Sequence, residues 1–305
     1  MNPILHIGYQ KTATSWLQRE VLPRHPELAP VLHYEPGGEW IEESVGAHPF
    51  TFDARALRAA HEAALTAGAG RRPFVSYEAW VGDPYTGARN TLQNAQRLHA
   101  LFPRARVVVV VREPLDMLAS MYRQFVQEGG ALGLAQLLAR RYPERIHFDP
   151  AFLFYDDLVD VYARLFGRER VLVLTFEALR ADRRAFLDAL FAFCGVAPLE
   201  LDGHAGSAND NRGLSPASLR VQRFSNRFLR SAFNPAPLVP SRLLTYAGVR
   251  RVLQRGVDPR LFGRARPGAA LPAALRAELR ELYRPHNARL AREHGVPVRE
   301  QGYDV

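Results

Sequence analysis

Residues 8–16 carry side chains suited to binding an anion. The segment follows a strand-like run and opens a helical pattern. Backbone N–H groups at the start of a helix point toward bound anions, and the helix dipole favours negative charge there. Lys11 supplies a cation, and Thr12, Thr14 and Ser15 add hydroxyl groups. N-capping would explain one such hydroxyl but is a weak explanation for three within four residues. The sequence therefore predicts a phosphate-binding loop.

Lys11 is the chain's sole lysine, so 39 of the 40 basic residues are arginine. A composition this biased uses arginine wherever a generic surface cation is enough. An ammonium group is a compact charge on a flexible stem, and a planar guanidinium cannot replace it in a tight pocket. We therefore expect Lys11 to serve the anion site and not to be a chance leftover.

The loop differs from the triphosphate-binding pattern G-x-x-x-x-G-K-[ST], because Gln10 precedes the lysine and Gly8 stands three residues before it. In that pattern the loop wraps around the β-phosphate, and the hydroxyl after the lysine binds magnesium. The shorter loop, in which Gly8 is expected to allow the turn, predicts a smaller phosphate group and no obligatory metal.

A second candidate anion site follows the run of valines at residues 107–111. Five consecutive β-branched residues, apolar on both faces, predict a central parallel strand. Arg112 comes at its carboxyl end and Ser120 follows two helical turns later, and arginine with a hydroxyl is a natural phosphate pair. The alternative is a structural ion pair between Arg112 and either Glu113 or Asp116.

Strand and helix signals alternate through residues 1–205. The predicted strands are 4–9, 31–34, 74–77, 106–111 and 170–176. The predicted helices are 13–22, 54–67, 90–101, 114–127, 154–166 and 182–193. This alternation predicts βαβ units and hence a three-layer α/β fold, with a mostly parallel sheet between helices. In such sheets ligands bind at the carboxyl ends of the strands.

Residues 206–305 are predicted to be helices broken by prolines, which complete or cap the domain formed by residues 1–205. Four arginines share one helical stripe beside Phe224 and Phe228, namely Arg220, Arg223, Arg227 and Arg230. A solvated face in an arginine-rich chain is the favoured interpretation. The alternative is a surface for an acidic acceptor, an anionic membrane or nucleic acid.

Composition limits the class of protein. The net charge of +9 favours an anionic partner: a polyanionic small ligand, a membrane or nucleic acid. The single cysteine, Cys194, excludes an intramolecular disulfide and a cysteine-based metal cage. No apolar run reaches the roughly 18–20 residues that a membrane span needs, and no secretory signal pattern opens the chain. We expect a soluble, cytoplasmic protein, with peripheral membrane contact open.

Two segments resemble motifs of the sulfotransferases that use 3′-phosphoadenosine 5′-phosphosulfate (PAPS), in particular soluble bacterial members. The first is Gly8-x-x-Lys11-Thr12-x-Thr14-Ser15-Trp16-Leu17-Gln18, and the second is Val-Val-Arg112-Glu-Pro-Leu-Asp-x-x-x-Ser120-x-Tyr122. Residues 176–182 also resemble a segment common in that family. The resemblance spans about residues 3–200. It implies a P-loop-like fold, PAPS as donor, 3′-phosphoadenosine 5′-phosphate (PAP) as product and no required metal.

The resemblance also implies site residues. The 5′-phosphosulfate loop would comprise Gln10, Lys11, Thr12, Ala13, Thr14, Ser15 and Trp16. The 3′-phosphate would contact Arg112 and Ser120, together with Arg212 and Gly213 in place of the family's Arg-Lys-Gly loop, although the lysine is missing. Ala13 stands where glycine is frequent in the family, so a tighter backbone approach is expected there.

Glu78 is the candidate general base, because it follows the strand 74–77 at the same sheet edge. Sulfuryl transfer to a hydroxyl or amine needs a group that takes the acceptor's proton. Cytosolic family members use histidine near this place, and members acting on polysaccharides use glutamate. Burial beside Trp80 is expected to raise the pKa of Glu78. The alternatives are a Glu78–arginine ion pair and His33 as the base, while His6 is expected in the core.

The sequence leaves three functions to compare. A PAPS-dependent sulfotransferase is the first, with Lys11 stabilising the transferring group and a small-molecule, saccharide or lipid acceptor. A P-loop kinase is the second, and it would require ATP and magnesium. A non-catalytic basic module for nucleic acid or membrane is the third, and its binding would weaken steeply with salt. We expect no nucleic-acid partner.

Overall fold

The structure is a computed structural model that describes residues 2–62, 70–139, 146–200, 214–235, 237, 245–257 and 271–305. Within these residues five strands form one sheet, and every neighbouring pair is parallel. The strands are β1 (Ile4–His6), β2 (Leu28–Leu32), β3 (Arg72–Ser76), β4 (Arg106–Val111) and β5 (Val171–Thr175). Their order across the sheet is β2-β3-β1-β4-β5.

Helices separate the strands and follow the last of them. They are α1 (Thr14–Trp16), α2 (Glu39–Gly46), α3 (Ala54–Ala60), α4 (Thr91–Leu101), α5 (Pro114–Gln127), α6 (Leu134–Ala139), α7 (Tyr155–Phe166), α8 (Phe176–Ala181), α9 (Arg183–Cys194), α10 (Pro216–Asn226), α11 (Tyr246–Val252) and α12 (Ala273–His294). The first helix continues as a π-helical turn, Leu17–Val21, and a 3₁₀ turn, Leu22–Arg24.

The two faces of the sheet are both buried. In β4, Val107, Val109 and Val111 pack in one hydrophobic cluster, whereas Val108 and Val110 pack in a second cluster. All five are fully buried, and each contributes roughly 2 kcal/mol relative to an exposed side chain. The valine run is thus a central strand of a three-layer α/β structure, which confirms the predicted fold class.

The strand order reverses at β1, and in parallel sheets such a reversal marks the edge where ligands bind. Strand β1 lies between β3 and β4, so the chain crosses from one side of β1 to the other between β3 and β4. A crevice opens at the carboxyl ends of the strands where the order reverses in this way. The loops after β1, β3 and β4 meet there, and they carry Lys11, Glu78 and Arg112 respectively.

Strand β2 differs from its prediction. It begins at Leu28, three residues earlier than expected, and it includes Pro30. Proline lacks a backbone N–H donor and is tolerated here because β2 lies at the edge of the sheet. The expected end of the strand, His33 and Tyr34, lies beyond it.

The C-terminal helices pack on the α/β core. Helix α10 contacts α5, and α12 contacts α7. An ionic network joins α7 and α12, and its centre is the fully buried carboxylate of Asp156. His286 Nδ1 lies 2.9 Å from Asp156 Oδ1, and Arg289 Nη1 lies 2.9 Å from Asp156 Oδ2. Arg289 Nη2 also contacts Asp160 Oδ2 at 2.6 Å. We call these four residues the α7–α12 network.

Among the described residues, no helix combines the length and the apolar character needed to cross a bilayer.

Candidate active site

The loop after β1 has the backbone shape of an anion cradle. Lys11 and Ala13 both have φ of +66°, a left-handed conformation that costs a non-glycine residue roughly 1–2 kcal/mol. Left-handed residues in a turn direct successive N–H groups toward one point, which makes a concave anion site. Among the described residues, no acceptor takes a hydrogen bond from the N–H groups of residues 11–15. The residue that replaces the family's frequent glycine, Ala13, is therefore one of the two strained positions.

The three hydroxyl groups of the loop have different surroundings. Thr12 is fully buried, and its Oγ1 donates to the carbonyl oxygen of Tyr9 at 2.6 Å. Because this hydrogen bond within the loop uses the hydroxyl proton, Thr12 can donate to a ligand through its main-chain N–H. The Thr14 hydroxyl donates to the same Tyr9 oxygen at 3.4 Å, and its hydrogen bonding to Glu78 lowers the pKa of that carboxyl. Ser15 is exposed at the start of α1.

Gly8 has a different role from the one expected. Its φ is not positive, so the left-handed turn does not depend on it. A Cβ atom at Gly8 would lie 2.9 Å from Cγ1 of Val81, in the 3₁₀ turn Glu78–Val81. Gly8 therefore permits close approach between the lysine loop and the segment that carries Glu78.

Arg112 is a buried cation without an acidic partner among the described residues. Its side chain is 7% exposed, and its guanidinium lies over the Phe176 ring at 4.8 Å. Nη1 donates to the carbonyl oxygen of Lys11 at 3.4 Å, which joins the two predicted anion sites. Its buried Nε has no hydrogen-bond partner within this part of the chain. The alternative ion pair with Glu113 is absent there, because Glu113 instead accepts the N–H of Asp116 at 2.6 Å and caps α5.

Helix α5 adds a second arginine that sequence reasoning missed. Ser120, which is buried, and Arg123 are three residues apart and share a helix face. Burial lowers the pKa of Arg123, and the nearby charge of Arg112 lowers it further. The sequence did contain a signal for Arg123, namely a basic residue one helical turn after Ser120. The charge of Arg112 thus acts on the helix face that carries Arg123 and Ser120.

Hydrogen bonds from distant segments hold the backbone at Arg112. Tyr155 Oη donates to the Arg112 carbonyl oxygen at 2.8 Å. The N–H of Glu113 donates to Glu177 Oε1 at 3.1 Å, and Tyr303 Oη donates to Glu177 Oε2 at 3.0 Å. Glu177 belongs to the third quoted motif, and its carboxylate links the C-terminal segment to the second anion site.

Glu78 lies in the electrostatic field of Lys11. Burial raises the pKa of Glu78, as expected, while the hydrogen bond from Thr14 and the charge of Lys11 oppose that rise. Burial lowers the pKa of Lys11, and the charges of Glu128 and Glu78 oppose that change. The Lys11 ammonium and the Glu78 carboxylate are more than 4 Å apart, so they do not form a direct ion pair. The alternative Glu78–arginine pair is absent among the described residues.

The two histidines lie in different environments. His33 packs against Tyr34 and Tyr77, with ring centroids 5.0 and 4.8 Å away, so it lies beside the residue that precedes Glu78. His6 is buried, its Nδ1 lies 2.8 Å from Ser76 Oγ, and burial lowers its pKa to about 4. The expectation that His6 is a core residue is confirmed.

The remaining predicted residues fall into two groups. Gln10 has a buried Oε1 without a partner among the described residues, and Trp16 is buried in the second hydrophobic cluster. Arg212 and Gly213 lie outside the described residues. The Nε of Arg112 and the N–H groups of the lysine loop, which have no partner within the described part of the chain, fit a ligand with two anionic groups.

The chain is similar to known sulfotransferases. A model of the sulfotransferase family matches residues 3–200. A sulfotransferase structure from Alicyclobacillus acidocaldarius has 22% identity, covers 67% of this chain and 88% of its own, and gives a TM-score of 0.49. The sulfotransferase domain of the curacin biosynthetic pathway has 15% identity, coverage of 82% and 96%, and a TM-score of 0.42. Mouse sulfotransferase SULT7A1, complexed with PAP, has 15% identity, coverage of 90% and 91%, and a TM-score of 0.31. A search of curated proteins gives no match. The chain belongs to the sulfotransferase family, because the family model spans well over half of its length.

Proposed function

We propose that the protein transfers a sulfuryl group from PAPS to a hydroxyl or amine of an acceptor. One observation supports this most: the lysine loop contacts a buried arginine that has no acidic partner among the described residues. Arg112 Nη1 lies 3.4 Å from the Lys11 carbonyl oxygen. Two adjacent anion sites suit a donor that carries a phosphosulfate and a separate 3′-phosphate. The acceptor belongs to the small-molecule, saccharide or lipid class, and the proposed location is cytoplasmic.

In this proposal each of the two anion sites binds a different anionic group of the donor. The N–H groups of residues 11–15, with Gln10 and Ser15, bind the oxygens of the 5′-phosphosulfate. Lys11 stabilises the charge that builds on the oxygen bridging phosphorus and sulfur. Arg112 and Ser120 bind the 3′-phosphate, with Arg123 close by and with Arg212 and Gly213 as further proposed contacts. The helical region 206–305 completes the same domain.

Glu78 is the proposed base. The acceptor oxygen or nitrogen attacks sulfur, the bond from sulfur to the bridging oxygen breaks, PAP leaves, and the acceptor proton moves to Glu78. The raised pKa makes this carboxylate a stronger base near neutral pH. Positioning and fixed charge supply most of the rate enhancement, as in phosphoryl transfer. His33 is the alternative base.

Calorimetric titration tests the donor without knowledge of the acceptor. We expect PAP to bind in the presence of a chelator, and more tightly than either ATP with magnesium or a DNA oligomer. The Arg112→Ala variant should weaken PAP far more than adenosine 5′-phosphosulfate, which lacks the 3′-phosphate. Tighter binding of ATP with magnesium would favour a kinase. Salt-sensitive DNA binding without PAP binding would favour a basic module.

Two matched variants test the base. PAP release from PAPS is measured with a mixture of phenols, sugars and lipid alcohols as acceptors. Glu78→Gln should lower turnover by roughly 10²–10⁴-fold and leave the affinity for PAP nearly intact, because it removes a base and not a binding group. His33→Gln should keep turnover within a few fold. A large loss of turnover in His33→Gln, with little loss in Glu78→Gln, would instead identify His33 as the base.

A further inference from the structure

One segment of the chain carries as much net positive charge as the whole chain. Residues 211–257 contain nine arginines and no aspartate, glutamate or lysine. The other 31 basic residues equal the 31 acidic residues in number, so this segment accounts for the whole net charge of +9. Such asymmetry indicates an interaction with an anionic partner.

Helix α10 presents an apolar stripe to solvent beside these arginines. Its inner face, which includes Leu219 and Gln222, is buried. On its outer face Val221 is 54% exposed and Phe224 is 60% exposed. The Phe224 ring packs edge-on against Phe228 at 5.4 Å. Sequence alone did not determine where Phe224 points, and its outward position removes the main ground for treating this helix as an ordinary solvated face.

Arginines flank the apolar stripe. Arg220, Arg227 and Arg230 are exposed, and the Arg227 guanidinium lies 5.9 Å from the Phe224 ring centroid. The neighbouring helix α11 continues the pattern, because Val252 is 65% exposed next to the exposed Arg251. We call Val221, Phe224, Arg220, Arg227 and Arg230 the basic–apolar face.

We propose that the basic–apolar face binds the surface of an anionic lipid bilayer. Arginine guanidinium groups would bind lipid phosphates, while Val221 and Phe224 would enter the boundary between headgroups and acyl chains. A nucleic acid would use the arginines and stack on the phenylalanine, but an exposed aliphatic side chain adds nothing to phosphate binding or base stacking. The absence of acidic residues from the whole segment removes repulsion from the lipid phosphates. This proposal does not depend on the donor or the acceptor of the sulfuryl transfer.

Vesicle co-sedimentation of the full chain tests the proposal. The probes are vesicles of phosphatidylcholine alone and vesicles with one third phosphatidylglycerol. We expect binding only to the anionic vesicles, with loss as salt rises. The double variant V221S/F224S should weaken binding on the order of tenfold. The matched control L92S/F50S also removes two exposed apolar side chains, 59% and 93% exposed, and should bind like the wild type.

A second pair of variants tests the charge. R220Q/R227Q should weaken binding by roughly 25-fold, since each arginine near an anionic bilayer contributes about fivefold. R55Q/R104Q makes the same change in net charge at exposed positions elsewhere and should have a much smaller effect. Thermal unfolding verifies that all variants are folded. Equal binding to both vesicle types, equal losses in matched pairs, or binding to a DNA oligomer without vesicle binding would each overturn the proposal.

Discussion

Two regions of the molecule surround their basic side chains with opposite environments. In the α7–α12 network Arg289 contacts the carboxylates of Asp156 and Asp160 within 3 Å. At the sheet edge Lys11 and Arg112 have no carboxylate within 4 Å among the described residues, and Arg123 adds a like charge. A buried charge without a partner costs several kcal/mol. The comparison indicates two uses of a basic residue. The paired Arg289 stabilises contact between two helices, and the unpaired Lys11 and Arg112 are the candidates for binding an anion.

The largest effect is expected from Lys11→Ala. Removal of a cation from the transferring group should lower PAP formation from PAPS by about 10³-fold. Thermal stability should not fall, because no ion pair is lost. Lys11→Arg should also lose most activity, since a planar guanidinium does not replace an ammonium in a tight loop. Activity within tenfold of wild type in Lys11→Ala would mean that the unpaired Lys11 does not stabilise the transferring group.

Arg112→Met sharpens the contrast in binding. The loss of two charge-assisted hydrogen bonds should weaken PAP by about 100-fold and leave adenosine 5′-monophosphate nearly unchanged. The unfolding midpoint should stay the same or rise, because an unpaired buried charge is removed. Calorimetry and thermal unfolding measure the two effects. A clear loss of stability without a difference between the two nucleotides would make Arg112 a structural residue.

Asp156→Asn should show the opposite pattern. It removes the buried acid that His286 and Arg289 share, and should cost roughly 1–2 kcal/mol of unfolding free energy, because Arg289 keeps Asp157 and Asp160 as partners. PAP affinity and turnover should be unchanged when measured well below the unfolding midpoint. Urea denaturation gives the stability difference. A large change in PAP affinity here would show that the two regions are coupled.

A smaller effect concerns pH. Glu78 must be deprotonated to act, and burial raises its pKa, so activity should fall on the acid side at a higher pH than for an ordinary glutamate. Thr14→Val removes the hydrogen bond that opposes the rise, so the acid limb of the pH–rate profile should move to higher pH. Asp156→Asn should leave this limb in place. An acid limb unaffected by Thr14→Val would separate Glu78 from the proton transfer.

The smallest effect is expected at Ala13. Its φ of +66° suits glycine, so Ala13→Gly should stabilise the fold by about 1 kcal/mol or less, because the greater freedom of glycine in the unfolded chain offsets part of the gain. PAP affinity should be nearly unchanged, since the cradle keeps its shape. Destabilisation in Ala13→Gly would mean that the left-handed backbone is not a source of strain.

The sequence predicted the features that local patterns determine. The all-valine run could form only a strand buried on both faces, and Pro114 at the first turn of α5 together with the glycine pair at residues 129–130 bounds that helix. The position of Lys11 and Arg112 at one edge followed from the carboxyl-end rule for parallel sheets.

Features that depend on tertiary contact were missed. The close approach of Gly8 to Val81, 73 residues away, has no local signature. The helix predicted at residues 13–22 becomes a π-helical turn after Trp16, and the hydroxyl of Thr12 turns inward to Tyr9. The absence of an ion pair at Arg112 among the described residues also could not be read from a sequence in which Glu113 is its neighbour.

A chain with one side-chain amine offers a practical consequence. Apart from the amino terminus, acylating reagents can modify only Lys11, and the lowered pKa increases its reactive, uncharged fraction. Cys194 is buried, and burial raises the pKa of its thiol to about 12, so thiol reagents should spare it. Fragmentation of the tryptic peptide of residues 1–19, which separates modification at Lys11 from that at the amino terminus, would therefore report ligand occupancy of the candidate site without engineering of the chain.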